Sequence, residues 1–470
     1  MLPFARSLTA GALVLALAVA GCDGFLDINE DPNNPTDVPP RALLANASFA
    51  TGANTQRIGA TTSFYVQYLA SPNAATAVDI YERVSLDATW GGLYSTLNDL
   101  RALETRAEAR SATAYTGIAR ILTAYHLAAA VDLWGAVPYS TALSPDQNLN
   151  PTYDDPQQLY AEVIRLLDGG IAALQAGNST ISPAGDDFIY GGNLGRWIRA
   201  AYSLKARYLN HLAATPGYDA SAVLAAVDNG FTGPADNMQV RYFAEQRNPW
   251  ATVAINNANL LLGGWLSETI VNALNGTTYG VPDPRIEAYT DALADGTYVG
   301  TRNGAGRGTA PERGARSVLT VNTYYAAPTA PVELITYHEL KFIEAEAALR
   351  SGQATRAYAA YLAGIRAHMT TLGVETAAAE AYVAAPQVGV GAGSLTLADV
   401  FREKYKVMFL HPEAWVDARR FNYAYAGFQM PVNAALPEFI RRVDYPDTEY
   451  TRNRANVPAS TLTTRLFWDR

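Results

Sequence analysis

The side chains best suited to chemistry in this chain of 470 residues are five histidines, one cysteine and scattered carboxylates. No His-Glu-x-x-His motif occurs, and no histidine has a second histidine within four residues, so the sequence shows no set of metal ligands. A Gly-x-Ser-x-Gly motif, which would present a nucleophilic serine, is also missing. The histidines are His126, His211, His338, His368 and His411. We therefore predict that the chain is not an enzyme and that it holds no metal or cofactor.

Two carboxylates, those of Glu344 and Glu346, could be considered as a glycosidase pair. Because they are two residues apart on a predicted helix, their side chains should point away from each other. We expect each of them to be solvated or to pack against an arginine.

The only cysteine, Cys22, follows Ala20 and Gly21 at the end of a short apolar run. A lone cysteine cannot close an intramolecular disulfide. Small residues before a cysteine at this distance from the start are typical of a bacterial lipoprotein signal, so we predict that residues 1–21 are removed and that Cys22 is lipidated. Acyl chains contribute roughly 0.8 kcal/mol per buried methylene, and two or more would anchor the mature chain to a membrane. The alternative is an ordinary secretory signal in which Cys22 is incidental.

Residues 22–40 are rich in proline, asparagine and aspartate, which favour turns over helix, and we predict a flexible tether. Alternating oxygen-bearing side chains within it resemble the start of a calcium loop: Asp27, Asn29, Asp31 and Asn33. An EF-hand also needs a glycine at the sharp turn and a terminal glutamate, where this chain has Pro32 and Val38. The tether is therefore a poor candidate for a calcium site.

The formal net charge of −9 argues against nucleic acid as a partner, since such binding depends on basic contacts to phosphate. The 28 tyrosines exceed what a core requires and favour an aromatic binding face. In the first half of the chain the candidate residues for this face are Tyr65, Tyr68, Tyr81, Trp90, Tyr94 and Asn98. Trp90, Tyr94 and Asn98 are four residues apart and share one helix face, but a core stripe has the same spacing. Burial in the core is the alternative interpretation.

Apolar residues recur at helical spacing over most of the chain. The predicted helices span 57–70, 84–107, 112–133, 155–174, 193–212, 333–350, 355–372 and 397–421. The fourth should begin with Asp155 as its N-cap and Pro156 at its first helical position. Pro412 cannot continue a helix without loss of a hydrogen bond, so the last helix should restart there. Trp415 should then pack into the core.

The middle of the chain, about 217–331, is loop-rich and has only brief helical runs, such as 260–274. Residues 300–314 are mostly glycine, arginine and small polar residues, which predicts a surface loop. Neither glycine-rich phosphate-binding pattern is present there.

Residues 345–361 have small residues where two antiparallel helices would touch and Gly352 at the turn, and they resemble a tetratricopeptide repeat. One such unit cannot bury its apolar face alone, so we expect the earlier helix pairs to stack as degenerate repeats. The predicted fold is mainly α, in a single domain over 41–470.

The chain resembles the SusD/RagB family of outer-membrane nutrient-binding lipoproteins. The matching stretches, in the family's order behind a lipoprotein signal, are 22–36, 132–139, 187–208, 339–349, 403–420 and 445–456. The resemblance implies a tetratricopeptide scaffold with a loop-rich, irregular second half. It also implies a position over a TonB-dependent (SusC-like) transporter, with capture of glycans or other oligomers for uptake, as in a starch utilisation system.

By the same resemblance, ligand contacts lie partly on the early helices and partly on loops of the second half. This adds Trp250 and the loop 298–313 as second candidates for ligand contact. Trp134 and Trp197 lie in stretches shared with the family's scaffold, so we expect them in the core. The alternatives to a nutrient-binding lipoprotein are a cell-surface glycoside hydrolase and a structural repeat scaffold that binds nothing.

Overall fold

The computed structural model of the chain describes residues 38–143, 148–260, 263–308 and 315–470. Its α-helices in these ranges are α1 Pro40–Tyr65, α2 Asp87–Ala109, α3 Thr113–Trp134, α4 Pro156–Gln175, α5 Leu194–His211, α6 Ala220–Asp228, α7 Pro249–Leu260, α8 Glu268–Leu274, α9 Tyr337–Arg350, α10 Ala354–Thr371, α11 Thr376–Ala384, α12 Leu397–Val407, α13 Glu413–Arg420 and α14 Asp447–Arg452. The short strands are β1 Leu69–Ala70, β2 Met238–Val240, β3 Trp265–Leu266 and β4 Val332–Ile335. The predicted mainly α fold is confirmed. None of the helices in the described ranges has the length and apolar character needed to cross a membrane.

The first helices stack in chain order. Helix α1 packs on α2, α2 on α3, α3 on α4, α4 on α5, and α5 on α6. Helices α3 and α4 approach closely because glycines face each other: a Cβ on Gly117 would lie 2.6 Å from the Leu174 side chain, and one on Gly170 would lie 2.9 Å from Ile121. The expected stacking of helix pairs is therefore present.

Helix α9 joins the second half to this stack. It packs against α10, α12, α5 and α6. At its contact with α10 a Cβ on Gly364 would lie 2.8 Å from the Phe342 ring, so glycine permits the close approach. Gly352, in the turn between these two helices, has φ +74°, a conformation that glycine adopts without strain.

Several helix ends follow from local sequence as predicted. The Asp155 carboxylate accepts the backbone N–H groups of Gln157 and Gln158, with Pro156 as the first residue of α4. Pro412 is the N-cap of α13, and α12 ends at Val407, so the predicted restart is confirmed.

The predicted helices are wrong in three places. The helix predicted over 57–70 is α1, which begins at Pro40 and ends at Tyr65, and Leu69 and Ala70 form β1. Residues 333–335 belong to β4, which pairs antiparallel with β2, and α9 begins only after Thr336, whose hydroxyl accepts the Glu339 N–H. The run 260–274 is interrupted after α7 by Gly264, which has φ +72°, and by β3, which pairs with β1. In all three places residues predicted as helix form a strand, because they pair with a partner strand that is distant in sequence.

Three tryptophans form the interior of the scaffold, as predicted. Trp415 is 1% exposed, its indole N–H donates to the Tyr423 hydroxyl at 2.7 Å, and the Arg419 guanidinium carbon lies 3.7 Å from its ring centroid. Trp134 and Trp197 are fully buried, and each donates its indole N–H to a neighbouring oxygen.

Replacing Trp415 with alanine should lower the free energy of unfolding by roughly 3–5 kcal/mol, because a large buried side chain is removed and a cavity remains. Urea unfolding followed by circular dichroism would measure this change. Leu149→Ala is the matched control, because Leu149 is 83% exposed and its loss should be nearly neutral. A Trp415→Ala variant with parental stability would contradict the core assignment.

Candidate functional site

The predicted aromatic face does not form. Tyr65, Tyr68, Tyr81, Trp90 and Trp250 are all buried, and Trp90, at 7%, is the most exposed of them. A ring that is covered on both faces by protein has no surface on which a ligand could stack. For these five residues the interpretation as an exposed binding face is wrong, and the alternative, core burial, holds.

The packing around α2 explains this burial. Trp90 meets Trp134 edge to face at 5.0 Å between ring centroids and lies 4.7 Å from Tyr94. Tyr94 is half-buried and donates its hydroxyl to the Pro138 carbonyl at 2.6 Å. Of the predicted set only Asn98 is exposed. At Trp90 and Tyr94 the stripe on α2 therefore faces α3 and the residues that follow it, while Asn98 reaches solvent.

The remaining tyrosines of the set join the first half of the chain to the C-terminal helices. Tyr68 stacks on Tyr405 with 4.8 Å between ring centroids, and Tyr65 lies 5.1 Å from Trp415. Trp250 lies against α1, where a Cβ on Gly59 would be 3.3 Å from the indole ring. These contacts give the tyrosines and Trp250 a scaffold role.

A polar pocket of about 130 Å³ opens where the second half of the chain meets the end of α1. Its lining combines amides, hydroxyls, one guanidinium and one carboxylate with a single large apolar side chain. The lining residues are Gln67, Ser267, Glu268, Thr269, Asn272, Thr278, Arg302, Asn303, Gly427, Gln429 and Met430. Arg302, Glu268 and Gln429 are exposed at its rim.

The floor of the polar pocket is held by side-chain hydrogen bonds. Gln67, which is 2% exposed, accepts the Thr269 hydroxyl and donates to the Gln429 carbonyl, both at 2.5 Å. Gln67 has φ +55°, a left-handed conformation that is uncommon outside glycine and that turns the chain between α1 and β1. One side chain thus joins three segments that are far apart in sequence.

Three loops, 71–80, 302–308 and 427–435, meet beside the polar pocket, and we call this the three-loop junction. The buried Asp79 carboxylate accepts the Gly304 N–H at 2.7 Å, the Ser71 N–H at 3.1 Å and the Asn303 amide at 2.6 Å. Burial raises the pKa of Asp79, although these three hydrogen bonds oppose the shift. The carboxylate therefore joins the first two loops.

Asn303 connects this junction to the polar pocket. Its amide nitrogen also donates to the Leu69 carbonyl at 2.9 Å, its amide oxygen accepts the Ser267 hydroxyl at 2.6 Å, and its carbonyl accepts the Val432 N–H at 2.9 Å. Gly304 must be glycine here: it has φ +79°, and a Cβ would lie 2.1 Å from the Val432 carbonyl oxygen. The third loop is thereby held against the second.

The second-half loop 298–313, described as far as residue 308, contributes Arg302 and Asn303 to the pocket, while Tyr298 is half-buried outside its lining. Sequence reasoning selected this loop but missed Gln67, Asn272 and Gln429. These residues lie in three separate segments with no shared pattern, so no signal in the sequence alone could have grouped them. The tether, with its alternating Asp and Asn residues, and Cys22 lie outside the described residues.

The carboxylates considered as a catalytic pair are both engaged with cations. Glu344 pairs with Lys341 and Arg356, each at 2.7 Å. Glu346 is 1% exposed, pairs with Arg350 at 3.0 Å and Arg420 at 2.5 Å, and accepts the Asn210 amide. The expected packing against arginine is confirmed. Within the described ranges no group of three histidine, cysteine or acidic side chains could hold a metal ion.

The chain thus combines a stack of helix pairs with a polar pocket that Gln67 and loops of the second half form. A model of the SusD-like family, described as starch-binding and associating with the outer membrane, matches residues 32–446. The chain therefore belongs to the SusD-like family. A search of curated proteins finds no match.

Solved structures confirm the fold. A SusD/RagB family protein from Bacteroides thetaiotaomicron is 23% identical, with a TM-score of 0.76 and coverage of 92% of this chain and 99% of that one. A SusD homolog from Bacteroides fragilis is 21% identical, with a TM-score of 0.78 and coverage of 92% and 100%. A chitin-binding SusD homolog from Flavobacterium johnsoniae is 19% identical, with a TM-score of 0.76 and coverage of 91% and 98%.

The ion pairs of Glu346 predict a pH dependence of stability. Burial opposes ionisation, but Arg420 and Arg350 outweigh it and lower the pKa of Glu346 from 4.5 to about 2. A carboxyl whose folded pKa is depressed stabilises the fold above its unfolded pKa, and this contribution is lost as the pH falls from about 4.5 to about 2. Glu346→Gln should therefore lower the free energy of unfolding at pH 7 by roughly 3 kcal/mol.

Glu346→Gln should also lose less stability than the parent as the pH falls from about 4.5 to about 2, because it lacks the carboxyl that titrates in this range. Urea unfolding at a series of pH values would measure both effects. Glu380→Gln is the control, since Glu380 pairs with Arg366 on the surface. Parallel stability curves for the parent and Glu346→Gln would contradict the assigned ion pairs.

Proposed function

We propose that the chain is a surface-exposed lipoprotein that binds glycans or other oligomeric nutrients at the polar pocket and delivers them to a partner TonB-dependent outer-membrane transporter. Membership of a family described as starch-binding supports glycans as the ligand class. The observation that carries the proposal is the lining of the polar pocket. Delivery and surface exposure rest on the family resemblance.

The chemistry of the lining suits a hydroxyl-rich ligand. Several lining groups can donate as well as accept hydrogen bonds, as sugar hydroxyls do. They are the amides of Asn272 and Gln429 and the hydroxyl of Thr278. Arg302 adds up to five N–H donors at the rim, and Met430 offers an apolar contact for the non-polar face of a sugar ring. These groups can bind a ligand without any covalent step, which agrees with the description of the family as starch-binding.

Asn272→Ala and Arg302→Ala should each lower the affinity for an oligosaccharide ligand about tenfold, because each removes one or two hydrogen bonds to ligand hydroxyls. Isothermal titration calorimetry against malto-oligosaccharides and chito-oligosaccharides would measure this effect. These probes are chosen because the family is described as starch-binding and one structural relative as chitin-binding. Circular dichroism would confirm that both variants fold.

Asn98→Ala is the matched control, because Asn98 is the exposed amide of the α2 face and does not line the pocket. Parental affinity in both pocket variants, with reduced affinity in Asn98→Ala, would move the site to the α2 face. Release of reducing sugar from either polymer by the parent would favour the alternative of a surface hydrolase.

The anchor is tested separately. Cys22→Ala should abolish metabolic labelling with a fatty-acid analogue and shift the chain from the detergent phase to the aqueous phase, since the thiol that accepts the lipid is gone. Ser71→Ala, within the body, should keep the parental labelling. Continued labelling of the Cys22→Ala chain would contradict lipidation at this residue. Protease treatment of whole cells would report on exposure at the surface.

A further inference from the structure

Three phenylalanines from distant segments form a cluster on the surface, which we call the aromatic patch. Phe49 on α1 lies 4.6 Å from Phe188 and 6.1 Å from Phe243, measured between ring centroids. Phe188 is 39% exposed and Phe243 is 43% exposed. Tyr242 lies beneath them, 8% exposed, with its ring centroid 6.4 Å from that of Phe49. Contiguous exposed apolar patches are the kind of surface on which other apolar groups pack.

Positive charge borders the aromatic patch. Arg241 and Arg247, both exposed, flank the turn in which Phe243 and Gln246 pair through their backbones. Arg41, also exposed, stands at the start of α1. Burial and the Asp186 carboxylate raise the pKa of Tyr115, and the charge of Arg41 opposes this rise, which places Arg41 near the Tyr115 hydroxyl that donates to Asp186. Glu245 is an exposed acid in the same turn. A segment that fits here would combine apolar and acidic side chains.

The tether of this chain has that composition. Residues 22–37 contain no lysine or arginine, and their acidic residues are Asp23, Asp27, Glu30, Asp31 and Asp37. Their large apolar residues, Phe25, Leu26 and Ile28, fall within four positions. The segment therefore matches the patch in apolar character and is opposite to its border in charge.

The reach of the chain also fits. The tether enters α1 at Pro40, and Phe49 lies nine residues along that helix, about 14 Å at 1.5 Å per residue. Val38 lies ten positions after Ile28, and an extended chain of that length spans up to roughly 35 Å. Between them the sequence Asp31-Pro32-Asn33-Asn34-Pro35 favours a turn, which would direct the tether back along α1.

We propose that the segment 25–28 of the tether docks on the aromatic patch, with its acidic neighbours against Arg41, Arg241 and Arg247. Docking would shorten the free tether and hold the body of the protein close to its anchor. The biological consequence rests on the proposed lipid anchor, but the docking itself does not.

Disulfide trapping in the unlipidated mature chain, residues 22–470 with Cys22→Ser, tests the contact. The chain has no other cysteine, so a pair of introduced cysteines can react only with each other within one molecule. Leu26→Cys with Phe188→Cys should oxidise to an intramolecular disulfide faster than Leu26→Cys paired with Leu149→Cys or with Val321→Cys, two other exposed positions. Equal rates in the three pairs would overturn the proposal.

A second measurement does not depend on introduced cysteines. Chymotrypsin cleavage after Phe25 and Leu26 should be about tenfold faster in a Phe188→Ser/Phe243→Ser variant than in the parent, since cleavage follows the undocked population. High salt should also speed cleavage of the parent, and Leu149→Ser should leave the rate unchanged. An unchanged rate in the double variant would overturn the proposal.

Two other occupants of the patch give different results. If the patch binds a second copy of the chain, sedimentation will show a concentration-dependent dimer that the double variant loses. If the patch is a glycan platform, the double variant will bind malto- or chito-oligosaccharides more weakly, with the tether cleaved or intact. Either result, together with an unchanged cleavage rate in the double variant, would replace tether docking. If instead Asn272→Ala and Arg302→Ala keep the parental affinity for oligosaccharides, only the proposed binding site is contradicted.

Discussion

The hydrogen bonds of Asp79 and Asn303 are the interaction on which the candidate site depends. Asp79 is fully buried, and a buried carboxylate is stable only where its oxygens are satisfied. Here its partners are two backbone N–H groups and the Asn303 amide, which belong to segments more than 200 residues apart in sequence. The Asn303 side chain also accepts a hydrogen bond from the Ser267 hydroxyl, so the same network extends to the polar pocket. Because each group completes the other's hydrogen bonding, the loops hold one mutual arrangement.

The scaffold and the site are stabilised by different means. Helices α1 to α6 and α9 to α10 pack through apolar stripes and close contacts at glycine, as a stack of repeats does. Buried ion pairs also join segments that are distant in sequence. Arg207 of α5 pairs with Glu339 of α9, and Arg285 pairs with Glu403 of α12. The polar pocket lies beside the three-loop junction, so its polar groups are carried by loops that the hydrogen bonds of Asp79 and Asn303 hold together.

Sequence predicted what depends on local pattern. The helices, the Asp155 cap, the restart at Pro412 and the interior position of Trp415 all follow from spacing and backbone chemistry that neighbouring residues determine. The strands β1, β3 and β4 were missed because each pairs with a partner nearly 100 or more residues away. The aromatic stripe at Trp90 and Tyr94 was ambiguous because helical spacing is the same for a core stripe and for a binding face. The polar pocket could not be predicted at all, since Gln67, Asn272 and Gln429 come together only through tertiary contacts.

The most direct test of the account is a crystal structure of the chain with a bound oligosaccharide. Sugar density should appear in the polar pocket, with ligand hydroxyls within hydrogen-bonding distance of Asn272 and Arg302, and the three loops of the junction should keep the hydrogen bonds of Asp79 and Asn303. Density for the sugar elsewhere on the molecule, with the polar pocket filled only by solvent, would contradict it.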